Sequence, residues 1–239
     1  GIPGIPGEGE ARVTYTIERV TLAGGESVEL RRPVFTLHNL RFGAPKVQLL
    51  MSARVAPPVY GLGLLEAVDE TTLRALAERP GMGAGRVNRV LDVRKGELVT
   101  GRFGLKSNQP HLRQQNDAAA WGDIGITSDL FRTENCAAPQ VECASAPHGG
   151  TPELDARQLE DLTVYMSLLP VPARRGERVP DVFRGERLFN DFGCSQCHVP
   201  ELTTGNHPRF AQLSRQTIRP YSDLLLHDLG PDLADGRPD

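Results

Sequence analysis

The stretch Gly193-Cys194-Ser195-Gln196-Cys197-His198 places two cysteines and a histidine in the spacing C-x-x-C-H. Two thiols held three residues apart on one turn can each add to a vinyl group of a haem, and the imidazole that follows then lies under the ring, within reach of the iron. The motif therefore predicts one covalently attached haem c, held by Cys194 and Cys197, with His198 as the proximal iron ligand.

Two other kinds of site can use a C-x-x-C pair. A structural zinc ion needs four ligands, and the remaining cysteines, Cys136 and Cys143, lie far upstream of the motif. A redox dithiol of the thioredoxin type follows a strand in a βαβ unit, whereas residues 182–190 have the pattern of a helix. Haem is the favoured interpretation, and zinc and the dithiol are the alternatives.

Residues near the motif are candidates for contacts with the haem. Phe189 lies on the predicted helix before the motif and can pack at the haem edge, with an ordinary core position as the alternative. Arg219 can pair with a propionate through its planar guanidinium, or lie at the surface. The sixth iron ligand is not obvious, because every methionine precedes the motif. His227 is a weak candidate, and a packed histidine held by Asp228 is the favoured interpretation.

The composition argues against several partners. The 239 residues have a formal net charge of −3, which predicts no basic surface for nucleic acid. No apolar run approaches the roughly 18–20 residues that cross a bilayer. The chain starts Gly-Ile-Pro-Gly-Ile-Pro-Gly, with neither an initiator methionine nor the charged start of a signal peptide. We interpret it as a mature or trimmed portion of a protein.

Cys136 and Cys143 lie in a polar loop over 135–150 and most simply form a disulfide. A disulfide together with covalently bound haem indicates an oxidising compartment. We therefore expect a periplasmic or otherwise extracytoplasmic protein.

Hydrophobic periodicity predicts one hairpin and several helices. Apolar residues alternate on both sides of Gly24-Gly25, which predicts a β-hairpin near 12–37. Helices are predicted over 71–78, 111–121, 155–169 and 182–190. The prolines of 170–174 end the clearest helix and mark the predicted linker between two domains. The expected fold class is mainly α, with cytochrome c-like haem domains, long loops and an inserted β-hairpin.

Six stretches are specific in combination: RVAPPVYGLGLLEA (54–67), GRFGLK (101–106), QQ (114–115) through DIGITS (123–128), VPARR (171–175), the C-x-x-C-H motif, and IRPYSDLLLHD (218–228). Together they resemble the bacterial di-haem oxidoreductases, also described as thiol oxidoreductases, which are related to di-haem cytochrome c peroxidases. The resemblance covers most of the chain.

This resemblance implies a two-haem protein whose second haem is attached outside the present sequence. Residues 1–169 would be the remainder of the first haem domain, and 175–239 the start of a second cytochrome c-type domain. In related peroxidases a glutamine and an acidic residue overhang the first, peroxidatic haem. Gln115 and Asp123 stand in roughly corresponding places, and Trp121 is a candidate relay between haems. The favoured interpretations are ordinary ones: Gln115 as a solvated helix residue, Asp123 as a turn or cap residue and Trp121 as a core residue.

The chain departs from the family pattern at three points. Leu105 replaces a common aromatic residue, and the first C-x-x-C-H of the family is absent. The stretch after His227-Asp228 that would supply the sixth ligand is also absent. The chain therefore looks like the middle-to-late portion of such a protein.

The leading functional hypothesis is a periplasmic c-type cytochrome with electron-transfer and oxidoreductase activity, part of a di-haem, peroxidase-like protein. Its expected partner is a redox protein or a small oxidant. The alternative is a non-catalytic electron carrier or a structural cytochrome subunit of a larger complex. A third hypothesis, without haem, is a binding module stabilised by zinc or a disulfide.

Overall fold

The computed structural model describes residues 7–47, 49–176, 178–231 and 233–234. In chain order, the helices and strands are β1 (Glu10–Thr21), β2 (Ser27–His38), α1 (Leu62–Glu66), α2 (Glu70–Ala77), β3 (Arg89–Asp92), β4 (Glu97–Thr100), α3 (Leu112–Ile124), α4 (Val141–Ala144), α5 (Ala156–Leu168), α6 (Pro180–Asp191), β5 (Leu202–Thr203) and β6 (Thr217–Ile218). No helix in this part of the chain is long and apolar enough to cross a membrane.

Contacts divide the chain into two units. One contains the described parts of Gly1–Leu49 together with Cys136–Pro147, and the other contains those of Leu50–Asn135 and His148–Asp239. The first unit thus joins the N-terminal segment to the disulfide loop, although the two are distant in sequence.

An antiparallel hairpin of β1 and β2 dominates the first unit. Its turn contains Gly25, whose φ of 83° lies in the left-handed region that favours glycine. The register pairs Val13 with Phe35 and Ala11 with Leu37, so these apolar side chains share one face of the sheet. The hairpin lies where the alternating pattern predicts one, and it extends slightly beyond the predicted range of 12–37 at both ends.

The disulfide loop belongs to the same unit. Cys136 and Cys143 are bonded to each other, the pairing that the sequence favours. The Arg41 guanidinium lies 3.1 Å from the carboxylate of Glu142 on α4. The Gln140 side chain also donates a hydrogen bond to the Glu8 carboxylate. Polar contacts and one covalent bond therefore hold this loop in place.

The second unit is organised around α5. Asp155 caps this helix by accepting hydrogen bonds from the backbone N–H groups of Arg157 and Gln158, and the Gln158 side chain accepts in return from Asp155. Helices α1 and α3 both pack against α5. A Cβ atom on Gly63 of α1 would lie 2.3 Å from the Ser167 carbonyl oxygen, so only glycine permits this close crossing.

The largest hydrophobic cluster of the second unit draws on both sides of the predicted linker. Before the linker it includes Val68 and Leu73, and after it Val199, Leu202, Ile218 and Leu224. The short β5–β6 pair holds Leu202 opposite Ile218. Residues before and after 170–174 therefore share one core. The division into haem domains 1–169 and 175–239 stays a prediction.

The predicted fold class, mainly α with cytochrome c-like haem domains, is wrong. Of the residues that the structure describes, 28% are helical and 19% are in strands or bridges. Its described residues form three separate two-stranded sheets. The sequence did not predict the β3–β4 and β5–β6 pairs. Strands β3 and β4 have four residues each and β5 and β6 have two each, which is too short to display a period-two pattern. These strands form because they pair with each other, and the hydrophobic periodicity of a segment does not show which segment it pairs with.

A buried carboxyl group lies on α3. Asp117 is 1% exposed, and its Oδ1 atom has no hydrogen-bond partner among the described residues. Burial raises the pKa of this carboxyl above its ordinary value of 3.8, and a hydrogen bond with Ser128 offsets the effect only in part. The folded protein therefore favours the neutral acid more than the unfolded chain does.

Asp117→Asn is expected to stabilise the chain at neutral pH by about 1 kcal/mol, because the amide keeps the shape of the carboxyl without its charge. A carboxyl whose pKa is higher in the folded than in the unfolded chain stabilises the fold at pH values below its pKa in the unfolded chain. That contribution is lost as pH rises through the folded pKa. Urea unfolding at pH 4 and pH 7 should show a gain that grows with pH. Equal gains for the exposed control Asp161→Asn would contradict the prediction.

Candidate haem site and the adjoining cleft

The C-x-x-C-H motif forms a tight turn directly after α6. The helix ends at Asp191, and Gly193 follows with a φ of 77°, a left-handed conformation that reverses the chain. Residues 194–196 form a single 3-10 turn, which the backbone N–H of His198 extends by donating to the Cys194 carbonyl at 2.9 Å. Neither Cys194 nor Cys197 is in a disulfide. Both thiols therefore lie on one compact turn.

The His198 ring is anchored on one side only. Its Nδ1 atom lies 3.1 Å from the Tyr221 carbonyl oxygen. Because a carbonyl oxygen only accepts, Nδ1 carries the proton and the lone pair is on Nε2. Nε2 has no hydrogen-bond partner among the described residues, and the side chain is exposed. This is the tautomer of a histidine that binds iron through Nε2.

The apolar face of α6 beside this turn is uncovered. Four residues recur at the spacing of one helix face: Gly185, Leu188, Phe189 and Phe192. No residue of α6 is buried. Phe192 is 76% exposed, and a Cβ atom on Gly185 would meet no atom within 4 Å. A bare apolar face beside two thiols and an available imidazole nitrogen fits a large, planar, mostly apolar group. The residues present therefore fit a haem.

Phe189 is the part of this face closest to the motif. Its ring centroid lies 6.2 Å from that of His198, and it meets the Tyr221 ring edge-on at 5.6 Å. This position agrees with the predicted packing at a haem edge, although the role itself stays a prediction.

His227 also lies at the motif, but in a different state from His198. Its Nε2 atom lies 2.9 Å from Asp223 Oδ2, and its Nδ1 atom lies 3.1 Å from the Ala84 carbonyl and 4.0 Å from Cys197 Sγ. Both nitrogens thus lie within hydrogen-bonding distance of protein oxygen atoms, so neither is open to a further ligand in this arrangement. The expectation of a packed histidine agrees with this geometry, but its partner is Asp223.

Asp228, the partner expected from the sequence, instead accepts a hydrogen bond from the Gly230 backbone N–H at 2.9 Å. Three residues separate Asp223 from His227, and the two side chains meet through a hydrogen bond. Arg79 lies 3.5 Å from the same aspartate. The role of His227 as an iron ligand stays a prediction.

Arg219 lies on the surface, 3.4 Å from Glu201, and both side chains are more than half exposed. Its predicted pairing with a propionate stays a prediction.

The glycine-rich loop over 81–85 packs against the motif, which the sequence did not predict. A Cβ atom on Gly83 would lie 2.9 Å from the Gln196 carbonyl oxygen. A Cβ atom on Gly85 would lie 2.9 Å from the His227 ring. Both glycines therefore permit a close approach to the haem motif. The alternation of glycines over 81–85 was the available signal.

A separate open cleft of about 600 Å³ lies beside α3. Gln115 and Asp123 both line it, so the structure brings together the two residues that the family resemblance singles out. Gln115 Oε1 is buried without a hydrogen-bond partner in the described part of the chain. Asp123 is exposed. Leu105, the position that departs from the family pattern, lines the same cleft.

Trp121 does not line this cleft. Its ring stacks on Phe131 with centroids 5.2 Å apart, and its Nε1–H donates to the Thr133 carbonyl at 2.8 Å. This satisfied, stacked position fits the ordinary structural role, and the relay between haems stays a prediction.

Comparison with known proteins identifies the family of the chain. The family model described as "Di-haem oxidoreductase, putative peroxidase" matches residues 3–239, essentially the whole chain. The chain belongs to the di-haem oxidoreductase family. Membership implies haem binding and is consistent with oxidoreductase activity. No curated protein and no solved structure matched the chain.

Proposed function

We propose that this chain is part of a periplasmic di-haem c-type cytochrome with peroxidase-like oxidoreductase activity. The observation that carries the proposal is the turn at 194–198, where two thiols outside any disulfide and the unpartnered Nε2 of His198 adjoin the bare face of α6. Two thiols and one imidazole nitrogen on a single turn support the attachment and ligation of one haem c.

Each residue of the turn has a distinct task. Cys194 and Cys197 would hold the haem through thioether bonds, and His198 would ligate the iron through Nε2. The Tyr221 carbonyl retains the Nδ1 proton and fixes the orientation of the imidazole. Leu188, Phe189 and Phe192 would exclude water from one side of the ring. The bound haem supplies one-electron redox chemistry, and the protein sets its access and potential.

The cleft beside α3 favours an enzyme over a pure electron carrier. A carrier needs no pocket for a small reactant, whereas Gln115 and Asp123 provide an amide and a carboxylate at one opening. A carboxylate can accept and return a proton, and an amide can donate a hydrogen bond to an oxygen atom. We assign peroxide or another small oxidant to this cleft, and a redox protein as the electron donor.

The extracytoplasmic location is part of the proposal. The Cys136–Cys143 disulfide supports it, because disulfides persist in oxidising compartments and are rare in the cytosol.

The test is the mass of the chain after production in a periplasm that has the machinery for c-type haem attachment. Under denaturing conditions, the expected intact mass is that of the polypeptide plus one haem, with a c-type pyridine haemochrome spectrum. A folded chain with the mass of the bare polypeptide would refute the haem c assignment.

In the full-length protein, Asp123→Asn is expected to lower peroxide turnover about 100-fold, because the cleft loses its proton acceptor. Haem content should not change. The matched control is Glu134→Gln, which neutralises an exposed carboxylate outside the lining of the cleft. Unchanged turnover in the Asp123 variant would favour the electron-carrier alternative.

A further inference from the structure

The β1–β2 hairpin carries a mostly apolar face, on which the Arg31 guanidinium lies 4.1 Å from the centre of the Tyr15 ring and the apolar side chains stay exposed. Ala11, Val13, Tyr15 and Ile17 alternate along β1 and so share this face, to which β2 adds Pro33, Phe35 and Leu37. Tyr15 is 51% exposed and Ile17 is 61% exposed. An isolated two-stranded hairpin is marginally stable in water, and a third or fourth strand is the usual remedy.

The two outer edges of the hairpin differ. On β2, Pro33 has no backbone N–H. Proline is accommodated in a strand where its nitrogen points away from the paired strand, here β1. The outer edge of β2 therefore lacks a donor near its centre. β1 contains no proline over its twelve residues, so its outer edge presents a continuous row of unpaired backbone groups.

We propose that β1 pairs antiparallel with β1 of a second copy of this chain, forming a four-stranded sheet across a two-fold axis at Tyr15. In this register, Arg12 of each copy lies opposite Glu18 of the other, on the polar face. Val13 of each copy lies opposite Ile17 of the other, on the apolar face. Both charged side chains are more than half exposed in the single chain and are therefore accessible.

Other registers are less favourable. A shift by one residue sets the apolar face of one copy beside the polar face of the other. A shift by two residues in one direction sets Glu10 opposite Glu18. A shift by two in the other direction sets Glu18 opposite Thr14 and removes its pairing with Arg12. Opposite charges and apolar pairs stabilise adjoining strands, and like charges destabilise them, so the register centred on Tyr15 is selected.

The test is sedimentation equilibrium of the full chain with charge reversals on β1. Arg12→Glu and Glu18→Arg should each weaken the dimer about tenfold, because two symmetry-related pairs change from attraction to repulsion. The double variant restores opposite charges and should recover the original affinity. Glu26→Arg, which reverses an exposed charge in the turn of the hairpin outside β1, is the matched control and should have no effect.

Crosslinking tests the register itself. In Tyr15→Cys the introduced thiols face each other across the axis and should form a disulfide that joins two copies through position 15. Val13→Cys, whose equivalents lie apart in this register, should not. The proposal is overturned if the chain is monomeric up to about 100 µM. It is also overturned if the double variant fails to recover the affinity or if the Val13 variant crosslinks as well as the Tyr15 variant.

Discussion

Replacing both Cys194 and Cys197 with serine is expected to abolish covalent haem attachment completely. Serine preserves the size and the turn, but its hydroxyl does not form the thioether bond. After production in a host that attaches c-type haem, the intact mass should be that of the bare polypeptide. Any haem held by His198 alone should be lost under denaturing conditions.

The other cysteine pair is the matched control. Cys136→Ser with Cys143→Ser removes the disulfide but leaves the turn after α6 unchanged. This variant should carry the same covalently bound haem as the natural chain. If the Cys194/Cys197 double variant retained covalent haem, the attachment site would lie elsewhere and the assignment would be wrong.

Leu73→Ala is expected to destabilise the chain by about 3 kcal/mol, because it leaves a cavity in a core that cannot fully collapse. Leu73 on α2 is completely buried and packs in the cluster that includes Val199, the residue directly after His198. Chemical unfolding followed by circular dichroism measures the loss. We also expect the haem of the matured chain to become easier to displace from His198 by added imidazole.

The control is Leu98→Ala on β4, where the leucine is 60% exposed. This substitution removes the same atoms without opening a buried cavity and should cost well under 1 kcal/mol. Equal losses in the two variants would show that the cluster around Leu73 is not the core that supports the motif.

Local sequence predicts the turn that carries the C-x-x-C-H motif. Cys194, Cys197 and His198 lie within five residues, so the backbone of one turn brings them together regardless of the rest of the fold. The pattern of α5, with Asp155 and Gln158 as its capping box, is equally local. The resemblance to di-haem oxidoreductases also followed from short stretches, and the family match confirmed it.

Partners from distant parts of the chain were predicted less well. The carbonyl that anchors His198 comes from Tyr221, and the carboxylate that holds His227 is Asp223, where the neighbouring Asp228 was expected. The loop carrying Gly83 and Gly85 contacts the motif from a position more than a hundred residues upstream. Sequence spacing alone does not reveal such contacts.

The sequence by itself therefore determined the family, the turn that groups Cys194, Cys197 and His198, the disulfide pairing it favoured and the positions of the longer helices. Only the tertiary structure decided the mixed helix-and-strand fold, the core shared across residues 170–174 and the cleft that Gln115 and Asp123 both line. The physical reason is the range of the interactions. Turns, caps and helix faces depend on residues a few positions apart, whereas short strand pairs, shared cores and clefts depend on which distant segments pack together.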